Sequence, residues 1–292
     1  MRYPLLKVLR RAALRCGVLI VTMSVVAIVP AAGLGTRLRP LSDAIPKEML
    51  PVGRALALER IVAELRAAGA ERIIFVVSPQ KEAFLKNHFG MGFGYAIQPE
   101  MRGLGEAILR ARELAQGASR LIIALGDAVF EEPELGGITR RVLAADSSLA
   151  IAVQRVPRER LSKYGVVAPT LAPPLLGAGG ATFAIQDIVE KPAPEEAPSE
   201  FAVTARYALP TTLFETLEKT PPAKNGEIQL TDAIKTLLQT GVPGSAVPLL
   251  PGETRHDIGG FETYFKAFVA FAINDPEYGA ALRTYLKETL QL

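Results

Sequence analysis

The chain predicts an α/β fold: a mostly parallel, mixed sheet with helices on both faces, extended by a β-rich insertion and a helical arm at the carboxyl end. Three observations carry that expectation. Short apolar runs rich in valine and isoleucine alternate with longer segments whose apolar residues recur at helical spacing. Hydrophobic residues make up 49% of the 292 and charged ones 22%, a balance that excludes disordered, collagen-like and low-complexity classes. The apolar runs end in turns that carry glycine or aspartate, where sheets of this class collect functional groups.

The elements follow in order. Residues 24–30, 71–78, 94–98 and 120–126 read as buried strands. Between the first two, LALERIVAELRAAGA keeps helical spacing and stops near Gly69. A second helix opens at Ser78-Pro79, where serine can cap and proline suits the first turn. A third is expected over about 103–116. Strands at 149–155, 165–168, 182–190 and 201–209 are interrupted by proline- and glycine-rich loops, which gives the insertion its irregular order. Helices at 260–274 and 277–291 close the chain, split at Asn274-Asp275-Pro276. The organisation is a Rossmann-like domain over 23–258 and a helical arm over 259–292.

Charge narrows the function. The net of +3 is a property of the first 22 residues, which hold Arg2, Lys7, Arg10, Arg11 and Arg15 and no acid. Without those five, 28 basic face 30 acidic side chains, so no nucleic-acid partner is expected of the folded body. Two histidines and one cysteine suit neither a zinc site nor a disulfide framework, and a reducing cytoplasm fits. The basic start and the run CGVLIVTMSVVAIV imitate a signal peptide, yet the run flows into the first strand. Cleavage near Ala31 or Ala32 would remove that strand, and the run is short for a membrane span. Residues 1–22 therefore read as a mis-called start ahead of Met23 or a disordered leader; an anchor or an extra helix is the alternative. No membrane partner is expected.

The first turn carries the chemistry. Gly33-Leu34-Gly35-Thr36-Arg37 follows a buried strand, and glycine there lets backbone N–H groups approach phosphate oxygens. It is no dinucleotide fingerprint, because Leu38 stands where Gly or Ala is needed, and no Gly-Lys-Ser/Thr follows. Arg37 and Lys47 bracket Pro40 and Pro46, which stiffen the loop. A forked cation and a point charge above such a turn suit a triphosphate.

GLGTRLRPLSDAIPKEMLP resembles the signature loop of bacterial UTP–glucose-1-phosphate uridylyltransferases and the related thymidylyltransferases, all sugar nucleotidylyltransferases. PKEMLP leans to the uridylyl branch, and the likeness runs from about residue 24 to the end. The resemblance implies transfer of a nucleotidyl group from UTP to glucose 1-phosphate, giving UDP-glucose and pyrophosphate. Ala32, Gly33, Gly35 and Lys47 would bind the nucleotide, with Gln98 and Gly103 at the pyrimidine. Asp127 and Asp257 together would hold Mg²⁺, although either alone would sooner read as a helix cap or turn former. Gly165, Glu190 and Lys191 would meet the sugar phosphate, the insertion lying on that side. Arg37, Lys47 and Lys191 would be the catalytic cations. Arg206 is a further candidate for a phosphate contact, and Thr231-Asp232 for settling a helix start.

Family resemblance also implies a homodimer or homotetramer. Two departures stand out: Asp43 where lysine is common, and Glu106 where histidine is common. They leave open a dTTP-using enzyme, and a regulatory paralogue that binds nucleotide without turnover.

Overall fold

A computed structural model describes residues 24–171 and 180–291. The leader reading of residues 1–22 lies outside them. Strands β1 (Val25–Pro30), β2 (Arg72–Val77), β3 (Gly94–Ile97) and β4 (Arg120–Ala124) lie side by side in the order β3-β2-β1-β4. All neighbours in this half are parallel. The second half of the chain adds β5 (Ala128–Glu131), β6 (Leu149–Arg155), β7 (Gly165–Pro169), β8 (Phe183–Glu190), β9 (Phe201–Leu209), β10 (Gly244–Pro248) and β11 (Thr254–Asp257), of which β6 to β10 continue the sheet. From β4 the order runs β9-β6-β10-β8-β7, making nine strands. Antiparallel joints flank β9 and β8, while β10 lies parallel to β6. β5 and β11 form a separate antiparallel ribbon.

Both faces of β1 are apolar, because helices cover both. Val25, Ala27 and Val29 join a core with α1 (Ala57–Ala67) and α2 (Pro79–Phe89), through Leu58, Ile61, Leu65 and Leu85. Val26 and Ile28 face α3 (Leu104–Arg110), α5 (Leu213–Lys219) and α6 (Leu230–Gln239), α4 (Gly137–Leu143) lying apart over β6 and β9. β1 has β2 on one side and β4 on the other, so the order reverses there, and a crevice opens at the strands' carboxyl ends.

The third predicted helix is shorter than its pattern. α3 stops at Arg110, and turns carry the chain to Gly117 at φ 77°. Ser78 does precede α2 with proline behind it, but its hydroxyl makes no capping bond. The sequence pattern does not predict β5, β10, β11, α4 or α5. In the arm, α7 (Phe261–Ile273) tucks Tyr264 and Ala267 into the core, and α8 (Gly279–Leu290) is largely exposed. The Tyr264 hydroxyl donates to Pro51 O at 3.0 Å, and Arg54 reaches Asp275 and Glu277 at 2.8 and 2.7 Å. Among the described residues no helix is long and apolar enough to cross a membrane.

Candidate active site

The loop after β1 turns at Gly35, whose φ of 68° is left-handed. A Cβ there would also stand 3.1 Å from the Ser42 Cβ and 3.4 Å from the Lys47 Cβ, so glycine is required twice over. The Ser42 hydroxyl donates to Gly35 O at 2.8 Å and fixes the turn. Ala32, Gly33, Gly35, Lys47, Gln98, Gly103 and Asp127 line one cleft of about 470 Å³.

At the floor of the cleft, Lys47 Nζ lies 2.5 Å from Asp127 Oδ2. Behind this pair charges alternate inward: Glu48 is 4.0 Å from Lys47 and 2.8 Å from Lys81. Lys81 Nζ also donates to Ala31 O at 2.9 Å and Gly33 O at 2.5 Å, tying the chain of charges to the glycine turn. Burial alone would pull the Lys47 pKa down; Asp127, Glu48 and Asp257 outweigh it, and the ammonium stands above its ordinary value. Burial would likewise raise the Asp127 carboxyl, but Lys47 and then Arg255 hold it below the usual range. For the deeper pair burial wins, pushing Glu48 up and Lys81 down.

Asp257 reaches the same place through the ribbon. It pairs with Ala128 across β11 and β5, and Ile258 N donates to Asp127 O at 2.9 Å. Asp257 accepts from Gly259 N at 2.8 Å and from Arg255 at 3.1 Å. Arg37 arrives from the glycine loop: a Cβ on Gly259 would stand 2.7 Å from its guanidinium. Two hard carboxylates at adjacent strand ends suit Mg²⁺, which takes few protein ligands beside phosphate and water oxygens.

At the opposite end Gln98 is buried and donates from Nε2 to Glu106 at 2.7 Å and Gly103 O at 3.2 Å. Gly103 has φ 96°, and a Cβ would stand 2.7 Å from Ile228 O and 2.8 Å from the Glu227 Cβ. Gly103→Ala is therefore expected to cost about 1–3 kcal/mol, read from urea denaturation midpoints, since the clash is with backbone that cannot step aside.

Gly165, Glu190 and Lys191 do not line that cleft. Gly165 and Glu190 face each other across β7 and β8, and the Thr231 hydroxyl donates to Glu190 at 3.1 Å. Lys191 adopts a left-handed φ of 46°, rare without glycine, and its Nζ lies 3.1 Å from Glu190. This second cluster adjoins Asp257 through Arg255, whose guanidinium sits 5.8 Å from the Tyr164 ring.

Residues 26–273 match the family model described as nucleotidyl transferase. The chain belongs to that family. Its relatives include UTP–glucose-1-phosphate uridylyltransferase 2 of Streptococcus pyogenes, 31% identical over 89% of this chain and 94% of that protein. The UTP-bound enzyme of Acinetobacter baumannii superimposes with a TM-score of 0.76 at 29% identity, over 91% of this chain and 99% of that one. A UDP-glucose pyrophosphorylase complexed with UDP-glucose gives 0.74 at 31%, over 85% and 98%.

Within this nucleotidyl transferase four sequence readings need correction or completion. Arg206 meets no phosphate: it is fully buried and grips Glu64 with two hydrogen bonds, at 2.6 and 2.7 Å. Thr231 serves Glu190 and does not cap α6, which starts without a side-chain cap. Glu48 and Lys81 were missed, because charged residues beside a loop and in a first helical turn look solvated until burial is known. The carboxylate that Asp43 brings where lysine is common is paired, since exposed Arg39 meets it at 3.1 Å.

Proposed function

We propose that this nucleotidyl transferase moves the uridylyl group of UTP onto glucose 1-phosphate, giving UDP-glucose and pyrophosphate. The observation that carries the reading is the Lys47–Asp127 pair, set in one cleft between the glycine turn and Gln98. The relatives named for this reaction, and neighbours solved with UTP and with UDP-glucose, support it.

In this reading Ala32, Gly33 and Gly35 cradle the phosphates, while Gln98 and Gly103 meet the uracil. Gly165 and Glu190 take the glucose, and Lys191 takes its phosphate. An ionised phosphate oxygen of glucose 1-phosphate attacks the α-phosphorus of UTP. A new phosphorus–oxygen bond forms as the bond to the departing pyrophosphate breaks on the opposite side. The nucleophile already carries its charge, so no general base is needed; position and charge neutralisation do the catalysis. Lys47 and Lys191 face the α-phosphoryl, and Arg37 steadies the pyrophosphate. Asp127 and Asp257 would hold Mg²⁺, which when bound supplies positive charge to the phosphate oxygens.

Residues 23–258 carry these groups and 259–292 form the arm. The apolar side chains Phe265, Val269 and Tyr285, exposed on α7 and α8, favour a homodimer or homotetramer. The soluble substrates of the proposed reaction suit an enzyme of the cytoplasm.

Pyrophosphate release by the protein, with Mg²⁺, glucose 1-phosphate and each of UTP, dTTP, ATP, CTP and GTP, tests the reading. Release with UTP is expected. A preference for dTTP moves the protein to the thymidylyl reaction, and silence with all five from protein that binds UTP favours a regulatory role.

A further inference from the structure

Gln98 lines the cleft, whereas Glu106 sits behind it, 6% exposed and away from the cleft surface. Their contact removes a freedom that a glutamine normally keeps. A primary amide can turn over and present either oxygen or N–H₂, with little change in shape. Here Nε2 faces Glu106 Oε2 at 2.7 Å and Gly103 O at 3.2 Å, and both partners can only accept. Turning the amide over would set oxygen against carboxylate oxygen in a buried place. Glu106 is itself anchored, because its other oxygen takes Arg110 Nε at 2.5 Å. Both amide protons are therefore spent, and Gln98 offers the cleft nothing but the lone pairs of Oε1.

We propose that Glu106 is a positioning residue that fixes which face of the Gln98 amide reads the base, making this end of the site a reader of a ring N–H donor. The proposal rests on the nucleotidyl-transfer reading above. Uracil and thymine carry such a donor at N3. Cytosine carries a lone pair there, so it would meet Oε1 with repulsion. A glutamine released from Glu106 keeps only the longer contact to Gly103 O, which holds it less firmly, so it could turn over and donate to cytosine. Discrimination between the two pyrimidines thus comes from a carboxylate that touches neither.

Steady-state kinetics with UTP and CTP test this in the wild type, Glu106→Gln and Glu106→Leu. Glutamine keeps the shape of the buried group but can itself turn over, so it no longer dictates the Gln98 amide. Leucine removes the acceptor altogether. Each variant should raise KM for UTP and lower the UTP-to-CTP ratio of kcat/KM by about tenfold or more, the effect of one misdirected buried hydrogen bond. Turnover at saturating UTP should stay within about twofold, because Glu106 is remote from the transferred phosphoryl. A merely structural role would lower use of both nucleotides together and leave their ratio alone. If Glu106→Gln folds, turns over UTP and keeps the wild-type ratio, the proposal is overturned. A wild type that uses neither UTP nor dTTP overturns the underlying reading instead, and is seen before any variant is made.

Discussion

Lys47→Ala is expected to lower kcat by about two to three orders of magnitude, the usual loss of about 3–4 kcal/mol when a preorganised charge at a developing phosphoryl is removed. The ammonium is held on both sides: Asp127 lies 2.5 Å away, and the Glu48–Lys81 pair stands behind it. Its stem also lies close to the turn: a Cβ added at Gly35 would stand only 3.4 Å from the Lys47 Cβ. Lys47→Arg should therefore recover little activity, since a planar fork does not fit a space shaped for a narrow stem. The same variants carry a pH signature. The Lys47 pKa is raised on folding, so its share of stability is present below the ordinary lysine value and is lost as pH rises through the native value. The Asp127 pKa is lowered, so its share is present above the ordinary carboxylate range and is lost as pH falls through the native value. The stability gap between wild type and Lys47→Ala should be widest near neutrality and shrink at both extremes. Urea denaturation at pH 3, 7 and 11 (about, to bracket both groups) measures it. A gap that does not change with pH would mean that the lysine and the aspartate are not coupled as drawn.

Much of this site was legible because its signals are local. An apolar strand that ends in Gly-Leu-Gly-Thr-Arg states where phosphate can approach the backbone, and the structure puts Gly33, Gly35, Lys47, Gln98, Gly103 and Asp127 around one cleft. The β1, β2 and β4 strands were legible for the same reason, since a strand buried on both faces is a continuous apolar run. What stayed hidden depends on distant pairing. TRHD at 254–257 is too polar to read as a strand, and becomes one only against AVFE at 128–131. ILRARELAQ keeps helical spacing past Arg110, yet the helix ends there and tightens into turns, with Ala111 N donating to Ile108 O and Arg112 N to Leu109 O. Glu48 and Lys81 satisfy each other across 33 residues, and neither position alone says that it is buried. Arg206 is the sharpest case. Ala205, at a φ of 67°, interrupts the regular alternation of β9, and the partner that buries the guanidinium lies 142 residues earlier in the chain.

That partner gives the second large effect. Glu64→Ala should destabilise the protein by about 3–5 kcal/mol, because it leaves the Arg206 charge buried with no counter-ion. Arg206 has no exposed surface, and Glu64, 3% exposed, also accepts from the Thr139 hydroxyl at 2.5 Å. Replacing both charges, as Glu64→Leu with Arg206→Met, should recover most of that loss, since an apolar pair carries no desolvation penalty. Recovery of stability need not bring back activity. Arg206 also donates to Ala128 O at 2.9 Å and to Ala205 O at 3.0 Å, and Ala205 O in turn accepts from Leu125 N at 3.2 Å. Asp127 is thereby pinned from both sides of the chain by a guanidinium that never meets solvent. The double variant should denature near the wild-type urea concentration yet turn over about tenfold more slowly, as expected when a carboxylate that must meet phosphate is displaced slightly. If stability and turnover recover together, the buried pair serves packing alone. If stability recovers without turnover, the ion pair has been kept for the placement of Asp127, which an apolar pair cannot supply.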